Sequence, residues 1–208
     1  MGKKHLAILS FGIAISFLLI GCTAKVETSN LQSLFFSEKC KDACWMGIEP
    51  QISTTSEAIT ILEKAYGGEN VVQDSGTISW NAENPNWNNR GYVFTNDNKV
   101  SFIMVWFPEP YMEVGDIISE MGSPASIGLV ISGPEIKCAG ASLLYPKTGL
   151  QIHLLPIDKS AGVTETQIVN GFDIHQPWSS GNYPWTDTAV VPWDGYHEYC
   201  PEKWSWEE

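Results

Sequence analysis

The sequence predicts an α+β fold: two successive units of one helix and an antiparallel sheet across residues 40–157, with residues 158–208 an aromatic-rich extended C-terminal tail packed on that domain. Three observations carry this expectation. Two helix signals, TTSEAITILEKAYGG from Thr54 and VGDIISEM from Val114, are each followed by runs of strand formers. Short turn sequences separate several of those runs, which favours antiparallel neighbours. Past Ile157, prolines and tryptophans replace both periodicities, and proline both fixes φ and removes a backbone donor.

The first helix is marked at both ends. Thr54 and Glu57 stand at capping-box spacing, where each side chain can satisfy a free backbone N–H of the other's residue. Ala58, Ile61, Leu62, Ala65 and Tyr66 recur at three and four residues and make one apolar face, and Gly67-Gly68 can end it in a left-handed conformation. Strands are expected at Thr77 to Trp80 and Gly91 to Thr95, with the Asn-rich NAENPNWNNR of Asn81 to Arg90 as a loop between them. Thr95-Asn96-Asp97-Asn98 then turns the chain into KVSFIMVWF, Lys99 to Phe107, which is apolar on both faces and calls for cover on both sides.

The second helix, Val114 to Met121, offers Ile117, Ile118 and Met121 as its apolar side and is stopped by Gly122-Ser123-Pro124. Strands are expected at Ser126 to Ser132, Ala141 to Tyr145 and Gly149 to Leu155, with Pro146-Lys147-Thr148-Gly149 as the turn between the last two. In the third, Leu150, Ile152 and Leu154 alternate with Gln151 and His153, which places His153 toward water or a loop.

At the other end of the chain, Lys3 and Lys4 precede an uncharged apolar run from Leu6 to Ile20. About 20 apolar residues are needed to cross the hydrocarbon core, and this run is shorter, so it reads as a secretory signal. Its end, Leu19-Ile20-Gly21-Cys22, resembles the lipobox of bacterial lipoproteins. The resemblance implies removal of residues 1–21 as a signal peptide, a diacylglycerol thioether on Cys22 and further acylation, for instance by palmitate, at the new amino terminus. Residues 22–39 then form the lipidated cysteine and its tether, and the lipid bilayer becomes a partner through Cys22. Two or three acyl chains anchor stably where one binds marginally. The expected location is the cell membrane or outer membrane, on the extracytoplasmic side and so at the cell surface.

Four more cysteines remain, Cys40, Cys44, Cys138 and Cys200, and disulfides persist outside the cytoplasm. Three pairings are open. The favoured one joins Cys40 to Cys44 and Cys138 to Cys200, because the third cysteine lies far along the chain. A four-thiolate zinc site would need paired Cys-x-x-Cys spacings, which the sequence lacks. A formal net charge of -12 opposes nucleic acid as a partner, since that requires a basic footprint.

Two further resemblances bear on the domain. The segment Cys40-x-x-x-Cys44-Trp45-Met46-Gly47-Ile48-Glu49-Pro50 is similar to that of uncharacterised bacterial lipoproteins, in which glycine usually follows the proline where this chain has Gln51. The doubled helix-and-sheet pattern, with Gly115-Asp116-Ile117-Ile118 leading to Met121-Gly122-Ser123-Pro124, resembles the tandem repeats of β-lactamase-inhibitor protein and small outer-membrane-assembly lipoproteins. That likeness implies an exposed sheet face as the contact surface.

No Gly-x-Ser-x-Gly, His-Glu-x-x-His or phosphate-binding glycine loop occurs in the chain. A hydrolase would need Asp173, His175 and a Ser or Cys in one cleft. The cluster around His197 and Cys200 has too few ligands for a metal, and Asn84, Asn86, Asn88 and Asp97 lack calcium-loop spacing. The expectation is a non-catalytic binding or interaction module with no cofactor, for an unknown protein or glycan partner. A carbohydrate- or envelope-binding module is the alternative, using tryptophans of the C-terminal region, of which Trp178 and Trp185 lie in loose Ser/Gly/Pro surroundings and are the candidate ligand contacts.

Overall fold

A computed structural model of the protein describes residues 34–84, 87–107, 112–132, 137–154, 162–179 and 188–199. Among the described residues lie two α-helices bounded at both ends, α1 (Thr55–Tyr66) and α2 (Val114–Met121), a 3₁₀ turn at Gly68–Asn70 and ten strands. The strands are β1 (Val71–Asp74), β2 (Thr77–Asn84), β3 (Trp87–Asn96), β4 (Lys99–Trp106), β5 (Met112–Glu113), β6 (Ser126–Ser132), β7 (Lys137–Tyr145), β8 (Leu150–Leu154), β9 (Ile168–Ile174) and β10 (Thr188–Pro192).

The expected pair of helix-and-sheet units is not what the chain forms. All ten strands join one antiparallel sheet in the order β1-β2-β3-β4-β9-β8-β7-β6-β10, with β5 continuing alongside β9. The junction is β4 with β9, where Ile103 to Trp106 pair with Ile174 to Gly171. β9 comes from the stretch expected to be an extended tail, as does edge strand β10. Its sequence, IVNGFDI, supplies Val169, Phe172 and Ile174 to the core, and their burial outweighs the polar and glycine-bearing context that masks the strand in the sequence. The Asn-rich segment is also strand: β2 and β3 pair in register from Thr77↔Phe94 to Asn84↔Trp87.

Local signals work as their chemistry requires. Thr54 caps α1 reciprocally with Glu57, and Gly67 ends the helix at φ 86°. Glu113 and Asp116 form a second capping box at α2, which Gly122 terminates at φ 80°. Tyr66 of α1 stacks on Trp80 of β2. Among the described residues, no helix is long and apolar enough to cross a membrane.

One face of the sheet is covered by α1, α2 and the segment Leu34–Pro50, and it holds a continuous apolar core including Ile78, Val93, Ile103, Val105, Leu129, Leu143, Ile152 and Phe172. At its centre Phe172 meets Phe35 edge-on at 4.8 Å, Trp45 at 5.1 Å and Phe107 at 5.7 Å. Cys40 and Cys44 are joined in a disulfide that closes a small loop over this core. The buried Glu49 carboxylate holds that loop by accepting from the backbone N–H groups of Lys41 and Asp42 at 3.1 and 3.2 Å. Met46 and Gly47, at φ 56° and 87°, turn the chain between Trp45 and Ile48. Gln51, where glycine was expected from resemblance, has a left-handed φ of 65°.

Cys138 stands in β7 opposite Ile131, but its side chain and Cys200 lie outside the described residues, as do Cys22 and Trp185.

Candidate functional site

The other face of the sheet carries no helix among the described residues, and its composition follows from strand alternation. In β4 the register shifts where Phe94 pairs with Phe102 but Thr95 pairs with Val100. This bulge leaves Val100, Ile103 and Val105 in the core and turns Phe102, Met104 and Trp106 to the helix-free side. Tyr92 and Phe94 of β3 lie beside them. Phe94 stacks on Phe102 at 4.1 Å, Tyr92 meets Trp106 edge-on at 5.7 Å, Phe102 stacks on His175 at 5.1 Å, and His175 meets Trp178 edge-on at 6.0 Å. These contacts make a row of aromatic rings across the sheet.

Beside that row the face becomes polar. Register sets Ser142 of β7 opposite His153 of β8, and Gln151 of β8 opposite Asp173 of β9, all with side chains away from the helices. Gln151 Nε2 donates to Ser142 Oγ at 3.0 Å, Ser142 Oγ lies 3.0 Å from His153 Nδ1, and His153 Nε2 lies 3.0 Å from Asp173 Oδ2. His175 Nε2 is more distant from the same carboxylate oxygen, at 4.0 Å. Burial pulls the His175 pKa down to about 4 against the opposing attraction of Asp173, so this ring is neutral near pH 7. Gly171 faces the same side, where any Cβ would approach the Val105 carbonyl to 2.4 Å and Trp106 Cδ1 to 3.1 Å. The close approach lets the indole lie across the strand.

Ser142, Gln151, His153 and Asp173 line an open depression of about 390 Å³, walled by Trp106 and Met104 on one side and by Val130 and Gly140 on the other. Tyr92 and Val130 are among the exposed large apolar side chains of the molecule. Half-exposed aromatic rings next to oriented polar groups are the makings of a ligand surface.

The Ser142, His153 and Asp173 arrangement invites comparison with a hydrolytic relay, and it brings together a serine and a histidine that no sequence motif links. Its geometry serves that chemistry poorly. Ser142 is only 2% exposed, so its oxygen is shielded from an incoming carbonyl. β7 is paired on both sides, with β6 and β8, so its amides point within the sheet and do not converge as oxyanion donors. Of the pair singled out in the sequence, Asp173 belongs to the network through His153, while His175 belongs chiefly to the aromatic row.

Trp178 closes that row and its backbone N–H donates to the Pro146 carbonyl at 3.1 Å. The C-terminal segment adds a separate knot: Trp193 stacks on Tyr199, and the Tyr199 hydroxyl donates to Asp194 at 2.9 Å. His197 pairs with Asp194, which raises the histidine pKa. Among the described residues no group of three or more His, Cys, Asp or Glu side chains could hold a metal ion.

Compared with protein families, with curated proteins and with solved structures, the chain matches none.

Proposed function

We propose that this chain is a lipid-anchored, extracytoplasmic binding protein that holds its ligand on the helix-free face of the sheet. The observation that carries the reading is the aromatic row of Tyr92, Phe94, Phe102 and Trp106 lying beside the oriented polar network of Gln151, Ser142, His153 and Asp173. Neither set belongs to the apolar core on the opposite face. Anchoring rests on the run that ends at Leu19-Ile20-Gly21-Cys22, and the Cys40–Cys44 disulfide accords with an oxidising compartment.

A photocrosslinking residue placed at Tyr92 in intact cells tests the binding face, with the same residue at Glu63 on exposed α1 as control. A discrete adduct from the Tyr92 position alone is the expected result. Equal labelling from both positions, or none from Tyr92, removes the reading. Cys22→Ser tests the anchor separately: the variant moves to the aqueous phase of a detergent separation or remains uncleaved, and aqueous partitioning of the unaltered protein refutes it.

A glycan-binding reading is favoured by one observation, the extension of the aromatic row to Trp178 through His175. Sugar rings stacked there would make Trp178→Ala abolish glycan capture while leaving the fold intact. Trp185 lies outside the described residues.

A further inference from the structure

We infer that the depression beside Asp173 receives a cationic nitrogen group, a primary ammonium or a guanidinium; this rests on the helix-free face being the ligand face. The direction of the hydrogen bonds decides it. A carboxylate only accepts, so His153 Nε2 must carry the proton that it offers to Asp173 Oδ2. With that proton alone on the ring, Nδ1 is an acceptor and Ser142 donates to it. The serine oxygen accepts in turn, which requires the Gln151 amide to present Nε2 to it. The His153 Nε2–H, the Ser142 hydroxyl and one N–H of the Gln151 amide are thereby spent within the chain.

What remains for a ligand includes three buried acceptors. Gln151 Oε1, Asp173 Oδ1 and Asn170 Oδ1 are all buried without a hydrogen-bond partner, and all three residues line the same depression. Gln151 and Asp173 are themselves 6% and 2% exposed, so both side chains are more than nine-tenths buried where they line the depression. Buried acceptors left unsatisfied are costly, and a donor-only group satisfies them best. An ammonium offers three donors and a guanidinium five, with no acceptor to be left idle. An anion would meet the Asp173 carboxylate, which repels it. The indole of Trp106 on the wall of the depression supplies a face for cation–π attraction, and the chain's net charge of -12 draws cations toward it.

The cation can be a free small amine or the side chain of a lysine or arginine in a protein partner, and titration calorimetry on the full-length protein separates them. Agmatine is the small probe, an N-acetylated Arg-Lys peptide amide the second, and methyl glucoside the neutral control. Saturable binding of agmatine is expected, weakened about tenfold or more by Asp173→Asn and by Asn170→Leu. The second variant lies outside the Gln151–Ser142–His153–Asp173 chain and keeps the test meaningful if the first fails to fold. Equal affinity for both cations supports a free amine, and peptide binding about tenfold tighter supports a protein side chain. No saturable binding of either cation, or binding that both variants leave unchanged, overturns the inference. Binding of methyl glucoside alone also overturns it. If crosslinking at Tyr92 succeeds while cations fail to bind, the ligand face stands and only its cation specificity falls; failure of both removes both.

Discussion

Replacing Phe172 with alanine tests the central position of β9 directly. The ring is fully buried and touches Phe35, Trp45 and Phe107 at centroid distances of 4.8, 5.1 and 5.7 Å. Burial of such a side chain is worth about 1.5–3 kcal/mol, and aromatic pairs add about 0.5–1.5 kcal/mol each. Partial collapse of the cavity tempers the sum, and Phe→Ala changes in cores typically cost about 3–5 kcal/mol. Phe172→Ala is therefore expected to lower stability by about 4 kcal/mol, or roughly 8–16 °C in Tm for a domain of this size. Phe102→Ala is the matched control, since that ring is only half-buried on the helix-free face and rests mainly on Phe94 and His175. Its expected cost is smaller, about 1–2 kcal/mol. Urea unfolding followed by tryptophan fluorescence measures both. A loss for Phe172→Ala below about 1 kcal/mol, or no larger than that for Phe102→Ala, would refute the placement of residues 168–174 at the centre of the sheet.

Gln51→Gly relieves a left-handed backbone at φ 65° and is expected to stabilise by roughly 0.5–1 kcal/mol; a lower Tm would show that the Gln51 side chain contributes more than its backbone strain costs. Replacing Cys40 and Cys44 together with serine opens a small loop, for which the chain-entropy model gives about 2 kcal/mol, measured by the same urea unfolding; a much larger loss would implicate the Glu49 contacts as well. His175 titrates in the fold at about 4 because it is buried, below its unfolded value of 6.5, so its stabilising effect is complete above pH 6.5 and is lost as pH falls toward 4. Its size is at most about 3 kcal/mol, and His175→Phe should flatten the Tm-against-pH curve in that window; an unchanged slope refutes the assignment.

The sequence made the local elements legible and hid the assembly. Thr54 with Glu57, and Gly122 after Met121, mark helix ends through chemistry confined to a few residues, and the structure realises both. The sheet depends on contacts of long sequence separation. Nothing near β9 announces that Phe172 will lie beneath Phe35 and Trp45, because Asn170, Gly171 and Asp173 interrupt the apolar pattern. The doubled order of helix and strands is present in the chain, but pairing of β4 with β9 merges the strands into one sheet. Alternation alone does not specify which strand becomes the neighbour.

The candidate site is a sharper case of the same limit. His153 was expected to face water or a loop because Leu150, Ile152 and Leu154 alternate with it, and the alternation does put it on the side away from the core. Its partners could not be read, since Ser142 and Asp173 reach it only through the registers of β7 and β9. A local signal did exist in KVSFIMVWF, whose second apolar face demanded cover. On that face the half-buried Phe102 and Trp106 rest on the neighbouring rings of Phe94 and Tyr92. In β8 the same side of the sheet carries Gln151 and His153. A strand apolar on both sides, in one sheet with a strand that alternates, forces the shared outer face to be part aromatic and part polar.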